Sequence, residues 1–267
     1  MSNGKVIRKN IEGLSEEELG LLRQAYTTLQ QFDPRDGLED RSYQTIAGYH
    51  GVPRGYCHRD RELFLPWHRA YVHFLEQYVL DTYPNDLELK PGIPWWDWTS
   101  EVAHQPAASG GGIPNRFRAE DNPPNPLAQF FIDRPSFGMQ RNTIRAPGGP
   151  NTLPTAAGVA QLLEITDFLE FSLRLEQTPF HDSIHVWVGG HMGVVDWAAY
   201  DPIFFSHHCM VDRIWYLWQL RHGAETVPSR LLNRQLLGFD MAVADVLEIG
   251  DLGYEYAVNQ MVVRNES

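Results

Sequence analysis

The stretch FFSHHCMVDRIW, residues Phe204 to Trp215, sets two histidines side by side in a strongly apolar segment. Helical neighbours point about 100° apart, so His207 and His208 are not expected to face one target together. Burying imidazoles among Phe, Met, Val, Ile and Trp costs free energy unless their nitrogens find partners. The surrounding pattern predicts a long helix from Pro202 to His222, with proline at a tolerated first-turn position and Gly223 at its end.

Three more helices follow from periodicity and punctuation. Leu14 to Phe32 opens on Ser15 with glutamates behind it and lines up Leu19, Leu22, Ala25, Tyr26 and Leu29. Phe64 to Tyr83 stops before Pro84, and Phe180 to Val188 runs into Gly189-Gly190. Residues 100 to 160 change character, rich in Gly, Pro and Asn, and read as a long excursion with few strand signals. The expected fold is mainly α: a four-helix-bundle core holding a dinuclear metal site, with long loops and few short strands. No linker divides the chain, so residues 1–267 are expected to form a single domain.

The composition, 43% hydrophobic and 21% charged, supports a buried core. A net charge of -12 argues against nucleic acid or an anionic membrane as partner and favours a small uncharged or cationic ligand. No apolar run reaches membrane-spanning length, and the start MSNGKVIRKNIEG lacks the apolar core of a secretory signal. The expected location is cytoplasmic, or outside after export by a partner. Two cysteines, Cys57 and Cys209, make no disulfide framework and no CxxC metal spacing.

Histidines carry the chemistry. PFHDSIHVW places His181 and His185 four apart on one helical face, where two imidazoles can chelate one ion. His207 or His208 offers a third ligand. The first half of the chain supplies a parallel set in His50, His58 and His68, while His73, about 140° round the helix from His68, reads as a surface or supporting residue. Two clusters of three suggest two metals. The Glu and Glu-x-x-His sets of di-iron bundles are missing from the pattern, and paired hydrolytic zinc normally shares carboxylates, so an all-imidazole pair favours copper.

These blocks resemble the type-3 copper family of tyrosinases, catechol oxidases and molluscan-type hemocyanin units. FLPWHRAYVHFLE is similar to the signature of its first copper site, and HDSIHVWVGGHM and DPIFFSHHCMVDRIW to those of the second. Gly253-Tyr254-Glu255-Tyr256 resembles the tyrosine motif that closes the family's central domain, with Arg8 as its expected partner. The resemblance implies two copper ions, one held by His50, His58 and His68, the other by His181, His185 and His208. It leaves His207 as a packed, hydrogen-bonded neighbour. Asp212, one turn beyond His208, is placed to accept that ligand's other N–H.

The resemblance also implies a substrate. Oxidation of catechols by O2 to o-quinones is the expected activity, with hydroxylation of monophenols in some members. Glu176 and Asp182 would orient a water that takes the phenol proton; Asp182 stands where many hydroxylating members carry Asn, which weakens that second activity. Val195 replaces a bulky gate and leaves the copper open, and Phe204, Trp187 and Val195 are placed to shape an apolar mouth, with ordinary core packing as the alternative. Trp95, Trp96 and Trp98 are expected in the core. Cys57 directly precedes His58, one residue closer than in thioether-forming relatives, and is expected to stay a plain buried thiol. The alternatives are an o-aminophenol oxidase, a hemocyanin-like O2 carrier, or a zinc protein. Carrier units bring a further C-terminal domain over the site; with the sequence ending at Ser267, an enzyme is expected. A homo-oligomer and a copper-loading helper protein are partners the resemblance admits.

Overall fold

The computed structural model describes residues 5–32, 41–106, 112–119, 123–148 and 152–257, without the side chain of His58. Helix α1 (Glu16–Gln31) starts at the capping box read from the sequence: the Ser15 side chain accepts from the Glu18 amide, and Glu18 returns the bond to the Ser15 amide. Its stripe of Leu19, Leu22, Ala25, Tyr26 and Leu29 is buried, on the side packed against α3 (Phe64–Asp81).

Helices α3 and α7 (Ile203–His222) form the centre and pack on each other. Both are buried around most of their circumference, as expected of helices with apolar residues on every side. Two shorter helices complete the enclosure: α5 (Phe168–Glu176), packed on α3, and α6 (His181–Val188), packed on α5. The remaining helices are a single turn or two, α2 (Tyr43–Ala47) and α4 (Ala156–Leu162). No helix among the described residues is long and apolar enough to cross a membrane.

The strands are short. β1 (Lys5–Arg8) pairs in parallel with β2 (Leu89–Pro91) on one side and β5 (Tyr254–Tyr256) on the other. Among its described residues, the Gly/Pro-rich excursion holds the antiparallel hairpin β3 (Phe131–Arg134) and β4 (Met139–Asn142). Trp95, Trp96 and Trp98 are core residues, at most 2% exposed.

The small parallel sheet carries charge into the core. Arg8 on β1, fully buried, donates to Glu76 on α3 at 2.8 and 2.9 Å and to Asp212 on α7 at 3.0 Å. Arg69 on α3 reaches the other oxygen of Asp212, and the hydroxyls of Tyr254 and Tyr256 donate to that carboxylate as well. The Arg8 guanidinium lies 3.4 Å above the Tyr254 ring. Strands β1 and β5 are thereby pinned to the two central helices.

Candidate metal centre

Two sets of imidazoles converge between the helices. His181, His185, His207 and His208 have ligand atoms within 4.8 Å of one another, and so do His50, His68 and His208. His208 belongs to both sets. Its ring stacks on that of His68 at 4.1 Å and meets His181 at 4.9 Å between centroids. Of the residues the sequence put forward as ligands, His50, His68, His181, His185 and His208 are thus brought together. His58 occupies a short turn (Cys57–Arg59), but its side chain lies outside the described residues.

The backbone fixes which nitrogen of each ring faces inward. Nδ1 of His68 lies 2.8 Å from the Phe64 carbonyl, that of His185 2.8 Å from Met192, that of His181 3.0 Å from Glu176, and that of His50 3.2 Å from Val195. A carbonyl can only accept, so each Nδ1 carries the proton and each Nε2 presents a lone pair. The consequence is clearest on α6, where Nε2 of His185 and Nε2 of His181 stand 3.1 Å apart. Two lone pairs at that distance repel unless a cation lies against both. The donor set fits a metal with imidazole ligands, in tautomers held by an outer ring of carbonyls.

On α7, His207 and His208 are fully buried, and among the described residues none of their four ring nitrogens has a hydrogen-bond partner. Burial, followed by the neighbouring imidazoles, lowers both far below the ordinary histidine range, so both are neutral donors. Three expectations are corrected here. His207 has no hydrogen bond among the described residues. It also faces the same target as His208, because α6 lies across the junction between them: the rings of His207 and His208 stand 5.2 and 4.9 Å from that of His181. And Asp212 does not hold His208. Arginines from far along the chain claim its carboxylate first.

Phe204 is fully buried under the rings, 4.2 Å from His208 and 4.7 Å from His50, and forms a floor rather than a mouth. Trp187 points away: it lines a separate cavity of about 510 Å³ behind α6, with Phe117, Ile113 and Gly112. His73 is buried rather than on the surface, beside Glu76 and outside both imidazole sets, since the charged network under Arg8 needs polar neighbours there.

Glu176, Asp182 and Val195 each adjoin one of the candidate ligands. Glu176 is mostly buried, and burial raises its carboxyl despite Arg61 nearby. The Asp182 carboxylate, 52% exposed, lies 3.1 Å from Nδ1 of His181. The Val195 side chain is half-exposed, while its carbonyl takes the bond from His50. That carbonyl, like those of Phe64, Met192 and Glu176, has no signature in the sequence. Cys57 is a free, buried thiol whose sulfur lies 3.4 Å from Nε2 of His68.

Gly51 secures the Val195 segment. A Cβ there would stand 2.5 Å from the Cα and carbonyl oxygen of Asp196, backbone atoms that cannot swing aside. Gly51→Ala is therefore expected to lose about 1–3 kcal/mol of stability by overpacking and to loosen any metal ion held at His50. Thermal unfolding and copper retention on dialysis read the two effects; a lower melting temperature with unchanged retention would show that the strain stays out of the site.

Comparison with known proteins follows the same lines. Residues 40–221 match the family model of the common central domain of tyrosinase. Hemocyanin 2 of Megathura crenulata is 31% identical over 295 residues, covering 94% of this chain and 8% of the relative. Units G and H of Sepia officinalis hemocyanin are 30% identical over 249 residues, covering 86% of this chain and 40% of the relative. The chain therefore spans less than half the length of these two relatives. Among solved structures, a functional unit of octopus hemocyanin superposes with a TM-score of 0.72 at 27% identity, over 94% of this chain and 68% of that one. The tyrosinase of Burkholderia thailandensis shares the fold, with a TM-score of 0.73 at 23% identity over 95% and 74% of the two chains.

Proposed function

We propose, from the premise that this chain belongs to the tyrosinase central-domain family of type-3 copper proteins, that it is an oxidase of catechols. Its cofactor is a pair of copper ions, which when bound supply O2 binding and two-electron redox chemistry. Two catechols each give up two electrons and two protons, and one O2 takes them up as two waters, leaving two o-quinones.

The chain's own residues supply the frame. His50, His58 and His68 are assigned to one copper and His181, His185 and His208 to the other, with neutral rings whose Nδ1 protons are committed to carbonyls wherever a bond is seen. Phe204 closes the floor and keeps water from the underside of His50 and His208. Glu176 and Asp182 hold a water at the rim that accepts the phenolic proton as the ring approaches. The observation that supports an enzyme is access among the described residues: His185 is only partly buried, exposed Val186 follows it on α6, and Val195, whose carbonyl lies 3.2 Å from Nδ1 of His50, is half-exposed. An apolar rim with an acidic edge accepts a neutral or cationic aromatic ring.

The hemocyanin relatives favour a second reading, reversible O2 binding without turnover. A panel of a monophenol, a catechol and an o-aminophenol on the copper-loaded protein decides. Catechol turnover supports the proposal, faster o-aminophenol turnover moves it to that substrate class, and an oxygenated absorption band without turnover of any of the three overturns it in favour of the carrier. Within the oxidase reading, Glu176→Gln is expected to lower monophenol turnover about 10²-fold and catechol turnover less. Equal losses would remove the proton-accepting role of the water it holds.

A further inference from the structure

His207 remains unexplained by six ligands. It is fully buried, and neither ring nitrogen has a hydrogen-bond partner among the described residues. Buried polar groups are nearly always paired, and an orphan costs on the order of 1–3 kcal/mol. A residue retained only for packing would be cheaper as phenylalanine. Its position argues for a partner that is not protein. His207 shares a set with His181, His185 and His208 whose ligand atoms lie within 4.8 Å of one another. A metal with bonds of about 2 Å to nitrogen bridges such a group after side-chain shifts of under an ångström or so. His208, by contrast, is divided, since it also belongs to the set of His50 and His68.

We propose that His207 is a fourth nitrogen donor to the copper ion held on α6, and that it makes this the position filled first. In the one-copper state His181, His185, His207 and His208 all bind, which meets the tetragonal preference of Cu(II) for four nitrogen ligands. When the second copper binds the set of His50, His58 and His68, the pair is held by six imidazoles and no longer requires His207. The proposal rests on the copper reading above but concerns loading, not turnover. Its consequence is an ordered uptake: tight binding of the first ion, then completion of the pair.

Copper-free protein, prepared with a chelator, is titrated with Cu(II) under nitrogen and followed by electron paramagnetic resonance. At one equivalent the wild-type spectrum is expected to show four nitrogen couplings. His207→Ala and, as a variant that better preserves shape and packing, His207→Gln are expected to show three, with the first Kd raised at least tenfold. At two equivalents the signal should vanish in all three proteins as the coppers couple, because the pair itself does not need His207. Three or fewer couplings in the wild type, or an unchanged first Kd in both variants, overturns the proposal. A signal that persists at two equivalents in the wild type overturns the paired-copper reading, and the proposal with it.

Discussion

His208→Ala is expected to bind fewer than two copper ions per chain and to lose catechol oxidation by well over 100-fold. The scale follows from position. Loss of a residue that merely supports a ligand costs about 10–100-fold in metal affinity or activity, and His208 is a ligand candidate lying in both imidazole sets. Its removal also unstacks His68, whose ring lies 4.1 Å away, and uncovers Phe204 at 4.2 Å. Metal analysis after dialysis against copper-free buffer measures the stoichiometry, and far-ultraviolet circular dichroism checks that the helices persist. His207→Ala, assayed with excess copper, should keep two ions. If His207→Ala strips a copper from the pair while His208→Ala retains both, the assignment within the pair is reversed.

How far the sequence foretold this centre differs from residue to residue. The α1 capping box, the α7 boundaries and the four-residue spacing of His181 and His185 are local patterns, and the fold keeps them. Helix α5 went unread although Phe168, Phe171 and Leu175 fall on one buried face, because nine residues give too short a run beside the Gly/Pro-rich stretch. The site's outer support is built from backbone carbonyls, which every residue owns. Helical geometry alone also misjudged His207, because where a ring ends up depends on the helix lying across it. Asp212 teaches the same lesson at long range. Its spacing from His208 is that of a ligand's support, yet its arginine partners lie 204 and 143 residues away in sequence.

Asp212→Ala is expected to be the most destabilising single change in the molecule, costing about 3–5 kcal/mol, because it removes one partner from a buried charge network and leaves the others in place. The two arginines would not suffer alike. Arg8 keeps both its bonds to Glu76. Among the described residues Arg69 keeps Gln219, the carbonyls of Val246 and Leu247 and the Trp215 ring, with Nη2 already without a hydrogen bond and no other carboxylate among its bonded partners. Against a typical total stability of about 5–15 kcal/mol, such a loss shows as a large fall in the urea midpoint and, in the weaker case, as failure to fold at 37 °C. Asp212→Asn keeps the shape and isolates the charge. Burial alone would raise the Asp212 carboxyl, but Arg69 and Arg8 outweigh it and hold it below its ordinary value. A carboxyl depressed in the folded state contributes stability that is present above the unfolded value, about 3.9, and lost as the pH falls through the lower folded one. The wild type should therefore lose stability below about pH 4 more steeply than Asp212→Asn, whose curve lacks this group. Parallel acid limbs for the two proteins would show that the ionised carboxylate does not stabilise the junction of β1, α3 and α7.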